Sequence, residues 1–196
     1  MENKINVIIG DLVKDAMEYD AICHSCNCFT TMCSGIAAGI KNAFPQAYNA
    51  DCQTATGDVD KLGNYTHTRQ IWPDGLKRKS TVIFNLYTQY TPNASIHPLD
   101  YEALTLTLRK LATHARKNNW KIGLPLIGYG LTGGDLNRII HTMYFELLGV
   151  ETDIVVFKGD ADAENTQKAV KDIIRVIDSN AKLNAYVKRQ KELLNL

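Results

Sequence analysis

Apolar residues along this chain fall into short runs separated by longer amphipathic stretches. Asn6–Ile9 and Ala21–His24 read as buried strands, and Tyr65–Thr68 and Thr81–Leu86 are strands rich in β-formers. Ser34 caps a predicted helix that runs to Phe44, where Pro45 stops it. Tyr101, Leu104, Leu108 and Leu111 recur at helical spacing and predict an amphipathic helix over Leu99–Arg116. Lys121–Ile127 is a strand leading into a glycine-rich loop. A helix follows with Leu136, Ile140, Met143 and Leu147 on one face, and then the strand Asp153–Phe157. Strands alternating with helices predict an α/β fold: three layers, α/β/α, around a mostly parallel mixed sheet.

Beyond residue 160 the pattern is helical only. Gln167–Ile177 places Val170, Ile173, Ile174 and Ile177 on one face, and Ala181–Leu196 is helical and more basic. The expected organisation is a domain over 1–160 and a C-terminal helical extension over 161–196.

Composition narrows the class. The 196 residues suit one domain, and 45% hydrophobic content suffices for an ordinary core. A formal charge of +1 supplies no general attraction to nucleic acid or to an anionic membrane. No run reaches membrane-spanning length, and five cysteines behind a start without signal-peptide character suggest reduced thiols. A cytoplasmic location is expected, in the host cytoplasm if the source is viral.

In an open α/β sheet, ligands sit beyond the carboxyl ends of the strands. Four features fall there: Gly10-Asp11 after the first strand, His24 to Gly35 after the second, Gly128–Gly134 after a late strand, and Phe157 at the end of the last. Glycines let backbone approach a diphosphate, and a helix start supplies free N–H groups to an anion. Each feature also has a plain structural explanation. Asp11 can cap a turn, His24 can be a satisfied core histidine, Asn27 can make an Asx turn and Phe157 can be core. Four glycines within Gly128–Gly134 exceed what a turn requires.

The turn after the second strand holds Cys23, Cys26, Cys28 and Cys33, so a redox pair and a zinc knuckle compete with a phosphate cradle. A redox C-x-x-C opens a helix directly, whereas this helix starts near Ser34. No second C-x-x-C or histidine unit completes a knuckle. The cysteines are read mainly as small core hydrophobes, and no metal is expected.

These residues resemble the macro domain family of ADP-ribose-binding modules over about residues 4–158 (boundaries good to a few residues). Gly10-Asp11-Leu12 is similar to the family's first-strand signature. His24-Ser25-Cys26-Asn27, Ser34-Gly35-Ile36-Ala37 and Phe44-Pro45-Gln46-Ala47 resemble the small stand-alone branch that contains ADP-ribose 1''-phosphate phosphatases. Pro125 to Asp135 is similar to that branch's second phosphate loop.

The resemblance implies that Asp11 accepts from the adenine amine, with Gly10 and Leu12 beside it, and that Asn27 holds the distal ribose. It implies a diphosphate cradle formed by Ser34, Gly35, Ile36 and Ala37 with Gly128, Tyr129, Gly130, Leu131, Thr132 and Gly133, and Phe157 against the adenine. His24 and Asp135 become the candidate acid and base. No cofactor is implied. The implied partner is ADP-ribose or a derivative, with no membrane, and with nucleic acid only as an ADP-ribosylated substrate. In a related branch a lysine–aspartate pair removes ADP-ribose from acidic side chains, and Gln89 and Thr132 stand at those positions here. The expected activity is hydrolysis of ADP-ribose 1''-phosphate. The alternatives are removal of ADP-ribose from protein or nucleic acid, and binding without turnover.

Overall fold

The computed structural model describes residues 4–73, 75–76, 80–93, 99–129, 133–157 and 163–193. The strands are β1 (Ile5–Gly10), β2 (Ala21–Asn27), β3 (Tyr65–Ile71), β4 (Ser80–Gln89), β5 (Lys121–Leu124) and β6 (Glu151–Phe157). The helices are α1 (Gly35–Ala43), α2 (Pro45–Cys52), α3 (Tyr101–Asn118), α4 (Leu136–Glu146) and α5 (Ala163–Leu193). The six strands lie in the order β1-β6-β5-β2-β4-β3, all parallel except the antiparallel edge strand β3. This is the expected mixed, mostly parallel sheet with helices on both faces.

Strand periodicity divides the core. Ala21, Cys23, Val82 and Phe84 point to the face covered by α3, α4 and α5, while Ile22 and Ile83 point to the face holding Ile40, Phe44 and Ala47 of the α1–α2 side. Asp100 caps α3 by accepting from the Ala103 N–H at 2.9 Å, and Asn119 closes it in the left-handed conformation.

Two expectations change. Pro45 does end α1, but it also opens α2, since a proline at the first helical position loses no hydrogen bond. The tail is one 31-residue helix rather than two, and no glycine or proline interrupts it. Its Ile173, Val176 and Ile177 enter the main core, so its first half is built into the domain. Leu183, Tyr186 and Val187 beyond them are exposed.

Candidate functional site

A cavity of about 420 Å³ opens at the carboxyl ends of β2, β4 and β5. Ser25, Cys26 and Asn27 of β2 form one wall, and Thr31 to Ala37 lead from the loop into α1. Gln89 and Pro92 follow β4, and Pro125 to Gly128 follow β5. Two of the sequence features, the β2 turn and the glycine-rich loop, thus meet at one place.

The start of α1 is open to an anion. Ser34 occupies the cap position but makes no side-chain capping bond, and the first turn of a helix leaves its N–H groups without intrahelical acceptors. Gly35, at φ +53°, is exposed, with no neighbouring heavy atom near where a Cβ would lie. Opposite it, Gly128 (φ +80°) accepts from the Gly134 N–H at 2.8 Å, which pinches the glycine-rich loop closed. Gly133 and Tyr129 are exposed near that loop but do not line the cavity. Gly130, Leu131 and Thr132 lie outside the described residues.

Asn27 is the brace of the β2 turn. Its Oδ1 accepts from the Phe29 N–H at 2.8 Å and its Nδ2 donates to Thr31 Oγ1 at 2.8 Å. Thr30 and Met32 in that loop adopt φ +54° and +35°, conformations that L-residues rarely hold without such support. The Asx turn is therefore real, and Asn27 lines the cavity as well.

At the other end of the sheet edge, Gly10 and Phe157 are register partners on β1 and β6, and the Phe157 side chain is 64% exposed. That exposure departs from the core explanation for Phe157. Leu12 is buried core, and Asp11 Oδ1 accepts from the N–H groups of Val13 and Lys14 at 3.1 and 3.3 Å. Asp11 Oδ2 lies 3.4 Å from the exposed Lys14 ammonium. Asp11, Leu12 and Phe157 do not line the cavity. They stand along the same edge, where β1 and β2 are three strand spacings, or about 14 Å, apart.

The two expected acid–base groups are not brought to the cavity. His24 is fully buried on β2, with Nε2 2.8 Å from Asn85 Oδ1 and its ring beside the Cys26 sulfur. Burial lowers its pKa from the ordinary value. Asp135 is exposed and caps α4, accepting from the Arg138 N–H at 2.8 Å while its own N–H donates to Tyr101 Oη at 2.7 Å. Neither suits an acid or base in contact with a ligand held in this cavity.

The cysteines are free thiols. Because β2 continues through Asn27, Cys23 and Cys26 sit an odd number of residues apart on one strand and face opposite sides. Cys23 packs with α3 and α4, Cys26 and Cys28 with Met32 and Tyr87. Burial pushes the Cys23 and Cys26 thiols up, and that of Cys28 to about 11. Among the described residues no cluster of three or more His, Cys, Asp or Glu side chains could hold a metal, and no helix is long and apolar enough to cross a membrane.

The charged residue of the cavity escaped the sequence reading. Asp51, on α2, is completely buried yet lines the cavity. Its Oδ1 accepts from Tyr87 Oη at 2.7 Å and from Lys61 Nζ at 3.3 Å. Lys61 is itself buried and also donates to the Cys28 carbonyl at 3.1 Å.

The architecture is that of a macro domain. The macrodomain of Thermus aquaticus DarG matches with a TM-score of 0.59 and 21% identity, over 77% of this chain and 96% of that one. Thermosipho africanus DarTG, solved in complex with ADP-ribose, matches with a TM-score of 0.61 and 16% identity, over 84% of this chain and 44% of that one. In sequence, 138 residues are 36% identical to an uncharacterized 17.5 kDa protein from the tk-vs intergenic region of Enterobacteria phage T4, covering 69% of this chain and 84% of the phage protein. The chain belongs to the family of that phage protein and has the macro domain fold. No family model matches it.

Proposed function

We propose that the cavity and the sheet edge beside it bind ADP-ribose. The diphosphate lies over the open start of α1, between Gly35–Ala37 and Gly128. The adenine extends towards Gly10, Asp11 and the exposed Phe157 ring, with the Asp11 Oδ2 as acceptor for the amine. The terminal ribose lies towards Cys26 and Asn27. The observation that carries this reading is the uncapped N-terminus of α1 facing the glycine-rich loop across one cavity. The ADP-ribose held by the structurally similar DarTG supports it.

The reaction we favour is hydrolysis of ADP-ribose 1''-phosphate. Water adds to phosphorus, the bond from phosphorus to the anomeric oxygen breaks, and ADP-ribose and phosphate leave. The motifs shared with the stand-alone branch support this activity, and Gln89 on the cavity wall argues against the lysine-dependent alternative. Binding without turnover is the second reading, favoured by the absence of His24 and Asp135 from the cavity lining. Purified protein should release phosphate from ADP-ribose 1''-phosphate. Release of ADP-ribose from a modified protein or nucleic acid instead would identify a de-ADP-ribosylating enzyme, and binding with neither product would identify a binder.

A further inference from the structure

We infer that Asp51 is a specificity residue of the cavity, whose free carboxylate oxygen accepts a hydrogen bond from a hydroxyl of the ligand's terminal ribose. The inference rests on the ADP-ribose reading and adds to it a residue that no motif marks. Asp51 Oδ1 is committed to Tyr87 and Lys61, whereas Oδ2 is buried and has no hydrogen-bond partner among the described residues. A buried carboxylate oxygen left unpaired is expensive, and such atoms are rare in folded proteins. This one belongs to a residue that lines the cavity, so a hydroxyl donor that enters there and displaces the side chains covering the oxygen can satisfy it.

The chemistry at the free oxygen suits a hydrogen-bond donor: the Asp51 charge is already paired with Lys61, and the oxygen left over can only accept. Asp51 supplies the one carboxylate among the described residues lining the cavity, while the phosphate-favouring start of α1 lies elsewhere on the wall. Asp51 also stands with Cys26 and Asn27 on the β2–β4 side, away from the β1–β6 edge assigned to adenine. A nucleotide laid along the edge from Phe157 across α1 therefore meets Asp51 with its far terminus. ADP-ribose ends there in a sugar bearing hydroxyls, and ADP ends in a phosphate. Lys61 and Tyr87 hold the carboxylate in place, so the acceptor is positioned before the ligand arrives.

Calorimetry on the full chain decides the matter with three ligands: ADP-ribose, ADP, and an ADP-ribose analogue whose terminal-ring hydroxyls are replaced by hydrogen. The wild-type protein should bind ADP-ribose roughly 10- to 100-fold more tightly than the analogue, the range supplied by a hydrogen bond to a charged group. In Asp51→Leu, which removes the acceptor and supplies no donor, the preference for ADP-ribose over ADP should collapse. Equal wild-type affinity for ADP-ribose and the analogue would overturn the role of Asp51, and this arm needs no variant to fold. A folded Asp51→Leu that keeps the full preference would overturn it too. Failure of the wild-type protein to bind ADP-ribose at all would instead bring down the ADP-ribose reading itself.

Discussion

Replacing His24 by alanine separates a structural histidine from a catalytic one. Asn85 Nδ2 donates to the Ala47 carbonyl at 2.8 Å and to Thr66 Oγ1 at 2.9 Å, so its Oδ1 is the acceptor and His24 Nε2 carries the proton. The histidine thus completes a buried chain linking β2, β4, β3 and α2. Alanine orphans the Asn85 oxygen, at about 1–3 kcal/mol, and leaves a ring-sized void that adds about 2 kcal/mol. A loss of about 3–5 kcal/mol in a chain of this size lowers the melting temperature by about 10 °C. Thermal melts followed by circular dichroism read the stability. Turnover of ADP-ribose 1''-phosphate, measured well below the new midpoint, should stay within a few-fold of wild type. A His24→Ala protein that melts like wild type but turns over a hundredfold more slowly would refute the reasoning and return His24 to the chemistry.

Other outcomes follow from the same packing. Burial lowers the pKa of His24, and burial together with His114 and Arg69 lowers that of His67. Both rings therefore stay neutral in the folded protein at pH values where the unfolded chain takes up protons. The His24 contribution is complete above about pH 6.5 and declines as pH falls below it, by up to about 1.4 kcal/mol per pH unit, while the exposed His67 ring, screened by solvent, adds less in the same direction. Urea titrations at pH 7 and pH 5.5 should show lower stability at 5.5, and unchanged or higher stability there would contradict the assignment. At Gly128, alanine meets an unfavourable φ of +80° and would place its Cβ 2.8 Å from Leu99 Cδ1, so Gly128→Ala should lose about 2–4 kcal/mol and most ADP-ribose affinity. Equal affinity in that variant would remove the glycine-rich loop from the site. Truncation after Ala181 should leave binding intact, whereas removal of all of α5 uncovers Ile173, Val176 and Ile177 and forfeits about 5–9 kcal/mol, enough to unfold most domains. Limited proteolysis and melts of the two truncations check this, and a stable protein lacking α5 would contradict it.

Elements whose buried face is apolar were legible in the sequence: β2, β4 and α3 fall within a few residues of their predicted positions. α2 was not. Its buried positions are Ala47 and Asp51, so the face turned inward carries a methyl group and a carboxylate, and no hydrophobic periodicity marks it. Pro45 was the available signal, because a proline starts a helix as readily as it stops one. The missed helix carries the missed site residue. The surroundings of His24 were hidden in the sequence for a related reason. Its titration near neutrality is a property of the side chain, whereas its role depends on Asn85, 61 positions away, which meets it only when β2 pairs with β4. The open start of α1 and the clustered glycines were legible, because uncapped helix starts and glycine runs are local features of the chain.

On the proposed reading, ADP-ribose occupies the edge from Phe157 to Cys26. Titrating isotopically labelled protein with ADP-ribose, and following backbone amide resonances, tests it most directly. Saturable shifts are expected at Gly10, Asp11, Cys26, Asn27, Gly35–Ala37 and Gly128, with the amides of α5 unmoved. Shifts confined to other surfaces, or none at millimolar ADP-ribose, would contradict it.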